Sequence, residues 1–277
     1  NTAWQVWGDG LPTFMWAEAG HGTVTGVLRP VRDRKFLSAG LGDLAERFPT
    51  HERFSTAPVA QVWGKVTAPH STAVRTLASV LLLNRGGSFA VKELPAPAQW
   101  SPVFGIAVAD FDGDSQMDAF LAQNLFAVRP EDMRLDAGRS LLLRGDGNGG
   151  FQPVDGAESG LAIYGEQRGA APADFNGDGR MDLVVTQNGA ETRLFQNATG
   201  RPGLRVRLTG PAGNPDGLGA VIRAVNQGRT GAAVAVGIGS YGSPAGSTVV
   251  LGGAVEEVQV LWPDGTRSVA KVAAGSA

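Results

Sequence analysis

The sequence predicts an all-β fold built from many short strands that are joined by tight turns. The chain contains 40 glycines and 16 prolines among its 277 residues, well above ordinary usage and without a collagen-like period. Short apolar runs alternate with turn residues. An acidic loop occurs twice, 64 residues apart, each time between strand-like segments. These observations predict repeated strand-loop-strand units with a short helical insertion, followed by a small C-terminal β-domain.

The composition of the chain excludes several classes of partner and binding site. A net charge of -2 and a sequence pI of about 6.0, with scattered Lys and Arg, leave no basic surplus for phosphates, so nucleic acid is excluded as an expected partner. The absence of cysteine excludes disulfides and thiolate metal sites. The longest apolar runs, such as the one that ends at residues 80–83, fall well short of the roughly 20 residues of a membrane span. We therefore expect no membrane-spanning segment in this chain.

The order of patterns along the chain predicts two domains. Residues 1–30 read as one or two strands, and residues 43–64 read as a helical insertion with Thr50 and Thr56 as N-caps and Pro58 in a first turn. Strand-like runs then continue to about residue 197. We predict the propeller-like part over 1–199 and the C-terminal β-domain over 203–277. Because the start lacks Met and a signal sequence, we expect a fragment whose upstream blades are missing.

The repeated loop is the most specific feature of the sequence. Over 16 aligned positions, nine are identical between the two copies, including a Gln-Asn pair that follows each loop. Both loops follow the pattern Asp-x-Asp/Asn-x-Asp-x-x-x-Asp, with strand-like residues on either side. The copies cover 110–118 and 174–182.

Oxygen ligands at alternate positions of such a loop converge on a hard cation. Ca²⁺ takes about six to eight oxygens from carboxylates, amides and carbonyls. Without a cation, the clustered carboxylates repel one another and their pKa values rise. The predicted Ca²⁺ ligands of the first loop are Asp110, Asp112, Asp114, Asp118 and the carbonyl of Gln116. Those of the second loop are Asp174, Asn176, Asp178, Asp182 and the carbonyl of Arg180.

The flanking sequence distinguishes these loops from EF-hands. Position 12 is Leu121 in the first loop and Val185 in the second, where an EF-hand needs Glu. The loop between two strands resembles the FG-GAP or VCBS repeat, whose blades form β-propellers, and the resemblance implies a partial β-propeller of FG-GAP-type blades. The segments 82–89 and 141–151 are similar to the outer hairpin of such a blade. Ser115 departs from the family pattern, because glycine normally occupies this position of positive φ; the departure costs about 1 kcal/mol.

The C-terminal part resembles the ASPIC/UnbV domain that follows FG-GAP propellers in cartilage acidic protein-like and bacterial exported proteins. The resemblance rests on Asn-Pro-Asp-Gly-Leu-Gly-Ala at 214–220 and on Val-Gln-Val-Leu-Trp-Pro-Asp-Gly at 258–265. We interpret the first motif as a turn that leads into a strand and the second as a strand end with a tryptophan anchor. The sequence matches two further stretches of this family only in part, at 239–242 and 250–253. The two resemblances together cover roughly residues 76 to 270.

Other motifs favour structural interpretations. Gly145 to Gly150 matches a dinucleotide-type glycine pattern, but Phe151 starts a strand instead of the required helix, so we predict a hairpin turn. The three histidines share no ligand spacing, and the sequence contains no nucleophile elbow. Glu166 and Arg168 lie in a charged turn with two interpretations: a contact that lines a groove or, more often for such a pair, a solvated turn. We therefore predict no catalytic and no organic-cofactor residues.

The sequence as a whole predicts a non-enzymatic, calcium-binding scaffold that is secreted to an extracellular or periplasmic space. Its expected partner is a protein or a polysaccharide. Since FG-GAP-like propellers also accompany enzymes that act on polysaccharides, an accessory or catalytic role in such an enzyme is the alternative. A third possibility is that the chain only completes a propeller that begins upstream.

Overall fold

A computed structural model describes residues 2–8, 11–19, 28–30, 33–64, 70–73, 76–128, 130, 133–237 and 247–273. The chain forms two compact units, residues 1–77 and 78–277. Strands predominate in the second unit, the first unit combines strands with short helices, and no described helix exceeds six residues. The predicted all-β class with a short helical insertion is confirmed. Among the described residues, no helix is long and apolar enough to cross a bilayer.

The first unit contains one antiparallel sheet and a group of helices. The sheet order is β3-β2-β1-β4, and residues 1–30 contain three strands where one or two were predicted. Its strands are β1 (Thr2–Gly8), β2 (Leu11–Ala19), β3 (Leu28–Pro30) and β4 (His70–Ala73). The helices between β3 and β4 are α1 (Arg34–Ser38), α2 (Leu44–Arg47), α3 (His51–Thr56) and α4 (Val59–Trp63).

The helical insertion begins earlier than residue 43, because Asp33 caps α1 through a 2.7 Å hydrogen bond from the Phe36 amide. Thr50 caps α3 as predicted. The prediction for Thr56 is wrong: this residue ends α3, and Pro58 is the N-cap of α4. Apolar side chains of the four helices and of the residues that join them share one core: Leu37, Leu41, Leu44, Phe48, Phe54, Ala57, Val59, Val62 and Trp63.

The second unit begins with three successive antiparallel sheets. A hairpin of β5 and β6 precedes a four-stranded meander, β7 to β10, and a three-stranded meander, β11 to β13. The two hairpins predicted at 82–89 and 141–151 are therefore confirmed. The strands are β5 (Val80–Asn84), β6 (Phe89–Glu93), β7 (Val103–Ala109), β8 (Asp118–Gln123), β9 (Leu141–Gly145), β10 (Phe151–Val154), β11 (Glu166–Ala173), β12 (Asp182–Asn188) and β13 (Ala190–Phe195). A short helix, α5 (Gly156–Ser159), lies between β10 and β11.

The first strands of the two meanders, β7 and β11, lie against each other. Gly105 permits this approach, since a Cβ there would lie 2.8 Å from the carbonyl oxygen of Arg168. The guanidinium of Arg168 stacks on the ring of Phe104 at 3.8 Å and forms an ion pair with Glu166. Glu166 is only 4% exposed. The predicted solvated turn is therefore wrong, because this pair lies within β11 and joins neighbouring sheets.

The C-terminal strands form two further sheets. Strand β14 (Leu204–Arg207) pairs with β17 (Thr248–Leu251). The other sheet has the order β16-β15-β18-β19, with β15 (Val221–Asn226), β16 (Arg229–Ala235), β18 (Glu257–Leu261) and β19 (Arg267–Lys271). Their shared core contains Leu208, Ala220, Ile222, Val236, Val249, Leu251, Val258 and Val260.

The two C-terminal sequence motifs have the expected local structure. Residues 214–220 form turns that lead into β15, and β18 ends at a turn in which the Gly265 amide donates to the Trp262 carbonyl at 2.9 Å. The Trp262 ring packs against the core. The stretch 239–242 lies outside the described residues. The domain division between 199 and 203 stays a prediction. Among the described residues, β13 pairs within the sheet of β11 and β12, whereas β14 pairs with β17, so no sheet contains strands from both sides of this division.

Candidate metal centre

Both acidic loops connect paired antiparallel strands, as predicted: the first joins β7 to β8 and the second joins β11 to β12. The first carboxylate of each loop organises the turn by accepting backbone hydrogen bonds. Asp110 accepts from the amides of Gly113, Asp114 and Ser115 at 2.8, 3.1 and 2.8 Å. Asp174 accepts from the three equivalent amides, those of residues 177–179, at 2.8, 3.1 and 3.1 Å. The two loops therefore share one backbone conformation.

The last carboxylate of each loop fastens the loop to the third strand of its sheet. Asp118 accepts from the Phe111 amide and from the Gly145 amide at the end of β9, both at 2.9 Å. Asp182 accepts from the Phe175 amide at 3.1 Å and from the Asn197 amide, just beyond β13, at 2.7 Å. Both carboxylates are 2% exposed. Charge-assisted bonds of this kind fix the position of the loop.

The first loop brings three carboxylates together. One oxygen from each of Asp110, Asp112 and Asp118 lies within 4.8 Å of the others. Asp110 and Asp118 are buried, and Asp112 is partly exposed. Of the other predicted ligands, Asp114 lies outside this cluster and accepts from the Gln116 amide at 2.8 Å. The cluster meets the ligand chemistry of a hard cation, since it offers several carboxylate oxygens at one point.

The electrostatics of the first loop favour a bound cation. Burial raises the pKa of the Asp118 carboxyl to about 6, with the charges of Asp112 and Asp110 adding to the rise and two backbone amides opposing it. Burial likewise raises the pKa of Asp110, against three backbone hydrogen bonds that lower it. A divalent ion at the cluster would offset both effects, because it favours the ionised carboxylates.

The second loop has a different electrostatic arrangement. Asp174 pairs with the Nε of Arg205 at 2.6 Å, and its carboxyl is fully buried. Asp178 pairs with Arg180 at 3.0 Å and accepts from the Asn176 amide group at 2.9 Å. The Asn176 hydrogen bond is the main cause of a lowered Asp178 pKa, and Arg180 lowers it further. Within the described part of the chain, only the first loop gathers three carboxylates at one point.

Several residues at these loops were not predicted from the sequence. Arg144 in β9 pairs with Asp112 at 2.9 Å, and Arg205 in β14 pairs with Asp174. Ser115, at a φ of 75°, donates its hydroxyl to the Gly252 carbonyl at 2.9 Å. The departure from glycine at position 115 was the one sequence signal of this contact, because a strained serine needs a compensating interaction.

Cavities reach the cluster from two sides. One of about 490 Å³ contacts Asp112 and Asp118 and has apolar walls that include Phe111 and Leu142. Another, of about 700 Å³, contacts Asp110 and Ser115 and extends to β15 and β16. The buried carboxylates are therefore within reach of an ion from solvent.

Comparison with known families identifies one repeat. A family described as an FG-GAP-like repeat matches residues 125–185, a span that includes β9, β10, β11, the second loop and the start of β12. The chain thus contains an FG-GAP-like repeat, and this repeat together with the blade-like meanders supports a propeller-type fold. The first loop precedes the match but has the same hydrogen-bonded geometry. A search of curated proteins found no match.

Proposed function

We propose that this chain is a non-enzymatic, calcium-binding β-propeller module that serves as an extracellular or periplasmic binding scaffold. The observation that carries the proposal is the cluster of Asp110, Asp112 and Asp118, whose oxygens lie within 4.8 Å of one another. Carboxylate-rich sites of adaptable geometry suit Ca²⁺, whereas Mg²⁺ requires near-ideal octahedral geometry and retains its waters. Asp114 and Gln116 supply further oxygens in the same loop.

The ion would act on the fold, not on a substrate. It would neutralise carboxylates that hold the β7–β8 loop, and Asp118 also fixes the end of β9. Because the unfolded chain lacks this arrangement, Ca²⁺ would stabilise the folded state by mass action, by about 2.7 kcal/mol at a hundredfold excess over the dissociation constant. Millimolar calcium outside the cytoplasm suits a scaffold with sites of modest affinity.

The proposed partner is a protein or a polysaccharide. The C-terminal strands would take part as an ASPIC/UnbV-like β-domain, a proposal supported by the motifs at 214–220 and 258–265. The cavity of about 700 Å³ is lined by residues from both the first loop and the C-terminal strands, including Asn226, Arg229 and Thr230. This polar lining supports a binding role for the surface formed by the first loop and the C-terminal strands.

The variant Asp112→Asn tests the calcium site, and the one other contact that it removes among the described residues is the partly exposed ion pair of Asp112 with Arg144. The second loop carries asparagine at the equivalent position, where the Asn176 oxygen accepts from the Asp178 amide at 3.0 Å, as Asp112 accepts from Asp114 at 3.2 Å. We expect isothermal titration calorimetry to show Ca²⁺ binding to the native chain and at least about tenfold weaker binding to the variant, since a direct charged ligand is lost.

Asp136→Asn is the matched control, because Asp136 is exposed and lies outside the cluster. It should bind Ca²⁺ as the native chain does. EDTA should lower the melting temperature of the native chain and of the control but leave that of Asp112→Asn nearly unchanged. If the native melt is the same in EDTA and in Ca²⁺, the proposed function is wrong.

A further inference from the structure

The two loops differ in how completely their first carboxylate is satisfied. A carboxylate has about four lone-pair positions for hydrogen bonds. The three backbone amides that donate to Asp110 leave one position, and among the described residues no side-chain cation takes it. Asp174 accepts the three equivalent amides and, in addition, the Nε of Arg205 at 2.6 Å. Its two oxygens therefore have no lone pair left for an ion.

The other oxygens of the second loop are also occupied by donors of the protein. Asn176 replaces the aspartate that stands at position 112 of the first loop, so one carboxylate is missing. Its amide group donates to the Asp178 carboxylate, which Arg180 also contacts. Asp182 is held by two backbone amides. Protein cations thus compensate Asp174 and Asp178, and backbone amides compensate Asp182.

The segment between β13 and β14 holds Arg205 in place. The Gly203 amide donates to the Gly179 carbonyl at 2.8 Å, and the Arg180 Nε donates to the Gly200 carbonyl at 2.6 Å. A Cβ at Gly203 would lie 2.4 Å from the Leu251 carbonyl oxygen, so the segment is also packed against β17. Arg205 is therefore presented by a fixed strand and not by a mobile surface loop.

At the first loop, the C-terminal strands present a residue without a side chain. A Cβ at Gly252 would lie 1.9 Å from the Asp110 Oδ2. Only a glycine fits there, and it brings no charge to the carboxylate. The same C-terminal part of the chain thus leaves Asp110 without a cation and supplies one to Asp174. The cation that pairs within the first loop, Arg144, belongs to β9 and contacts Asp112 instead.

We infer that Arg205 takes the place of the metal ion in the second loop, so that the chain binds one Ca²⁺ instead of two. The second loop then serves as a docking site for the C-terminal strands through the pair of Asp174 and Arg205, and we call this docking site the socket. The stoichiometry rests on the proposed function, because it requires that the first loop binds Ca²⁺. The socket does not, since it is formed by contacts within the chain.

Equilibrium dialysis with radioactive calcium, at free Ca²⁺ far above the dissociation constant, measures the stoichiometry. We expect one ion per chain for the native protein and one for Asp174→Asn. Two ions bound to the native chain, with one lost in Asp174→Asn, would overturn the inference.

A double-mutant cycle in EDTA tests the socket without calcium. Arg205→Gln and Asp174→Asn should each lower the melting temperature by several degrees. The double variant should melt no lower than Asp174→Asn alone, because Arg205 has already lost its partner in that variant. Arg207→Gln is the control: it is on the same strand, but its ion pair with Asp216 is exposed, at 70% and 47%, so its melt should hardly change.

The two experiments fail independently. Additive effects of Arg205→Gln and Asp174→Asn would show that the residues do not act as a pair, and the socket would be rejected whatever calcium does. A native chain that binds no calcium in dialysis would refute the proposed function and the stoichiometry of one. In that event the cycle alone decides whether the second loop is an arginine socket.

Discussion

Replacing Asp118 by asparagine separates the cost of its buried charge from its contribution to metal binding. The pKa of this carboxyl rises from 3.8 to about 6 in the fold. Since one pKa unit corresponds to about 1.4 kcal/mol, the ionised carboxylate costs the metal-free fold about 3 kcal/mol at neutral pH. Asparagine removes this cost. It also keeps one oxygen acceptor but turns an NH₂ group toward one of the two amides, Phe111 or Gly145, and an unsatisfied buried amide costs about 1–3 kcal/mol.

These opposing terms nearly cancel, so we expect the metal-free stability of Asp118→Asn to stay within about 2 kcal/mol of the native value at pH 7. The response to calcium should be lost, because an essential carboxylate is missing. At a hundredfold excess of Ca²⁺ over the dissociation constant the native chain should gain about 2.7 kcal/mol, and the variant should gain almost none.

Urea unfolding in EDTA and in Ca²⁺, analysed by linear extrapolation, measures both quantities. Asp136→Asn again serves as the control for a change of one charge. A variant that loses more than about 3 kcal/mol in EDTA and still gains the full calcium increment would refute the reasoning, because Asp118 would then be a structural acceptor and not a metal ligand.

Three further predictions follow from the same region. The pKa of Asp118 is 3.8 in the unfolded chain and about 6 in the fold, so the folded state binds more protons between these two values. Unfolding titrations in EDTA should therefore show the free energy of unfolding falling as the pH rises through this window. Calorimetry should show Ca²⁺ affinity falling as the pH drops below about 6, because the protonated carboxyl is a poor ligand. Ser115→Ala should lose about 1 kcal/mol in denaturant melts, because it loses the bond to Gly252 and keeps the positive φ, whereas Ser115→Gly should be nearly neutral. Gly105→Ala should cost at least about 1–3 kcal/mol, since its Cβ would press on the Arg168 backbone; an unchanged melt would contradict the packing of β7 on β11.

Features that depend on local sequence were the ones that the sequence predicted well. The alternating burial of β7, in which Gly105, Ala107 and Ala109 are buried and Ile106 and Val108 are exposed, has the period of a strand with one covered face. Turns at 84–88 and 145–150 follow from glycine positions with positive φ. The acidic loops follow from residue spacing within nine positions. In each case the deciding interactions are between neighbours in the chain.

Features that depend on distant contacts could not be predicted in this way. Ser115 and Gly252 are 137 positions apart. The burial of Glu166 and Arg168 results from the approach of β7 to β11, and nothing in a short charged segment distinguishes this environment from a solvated turn. The pairing of Arg205 with Asp174 likewise requires the strand β14 to dock on a loop of another sheet.

The comparison of the loops separates two roles of the repeated aspartates. Asp110 and Asp174 accept equivalent backbone bonds, although their surroundings differ in charge. These bonds stabilise the turn without an ion, so the aspartate pattern specifies a turn between strands in either case. On our proposal, residues outside the turn decide whether it also holds an ion: Gly252 leaves Asp110 without a cation, and Arg205 supplies one to Asp174. The acidic pattern therefore specifies the turn in both loops, whereas the proposed calcium site also depends on a first carboxylate that has no protein cation, as at Asp110.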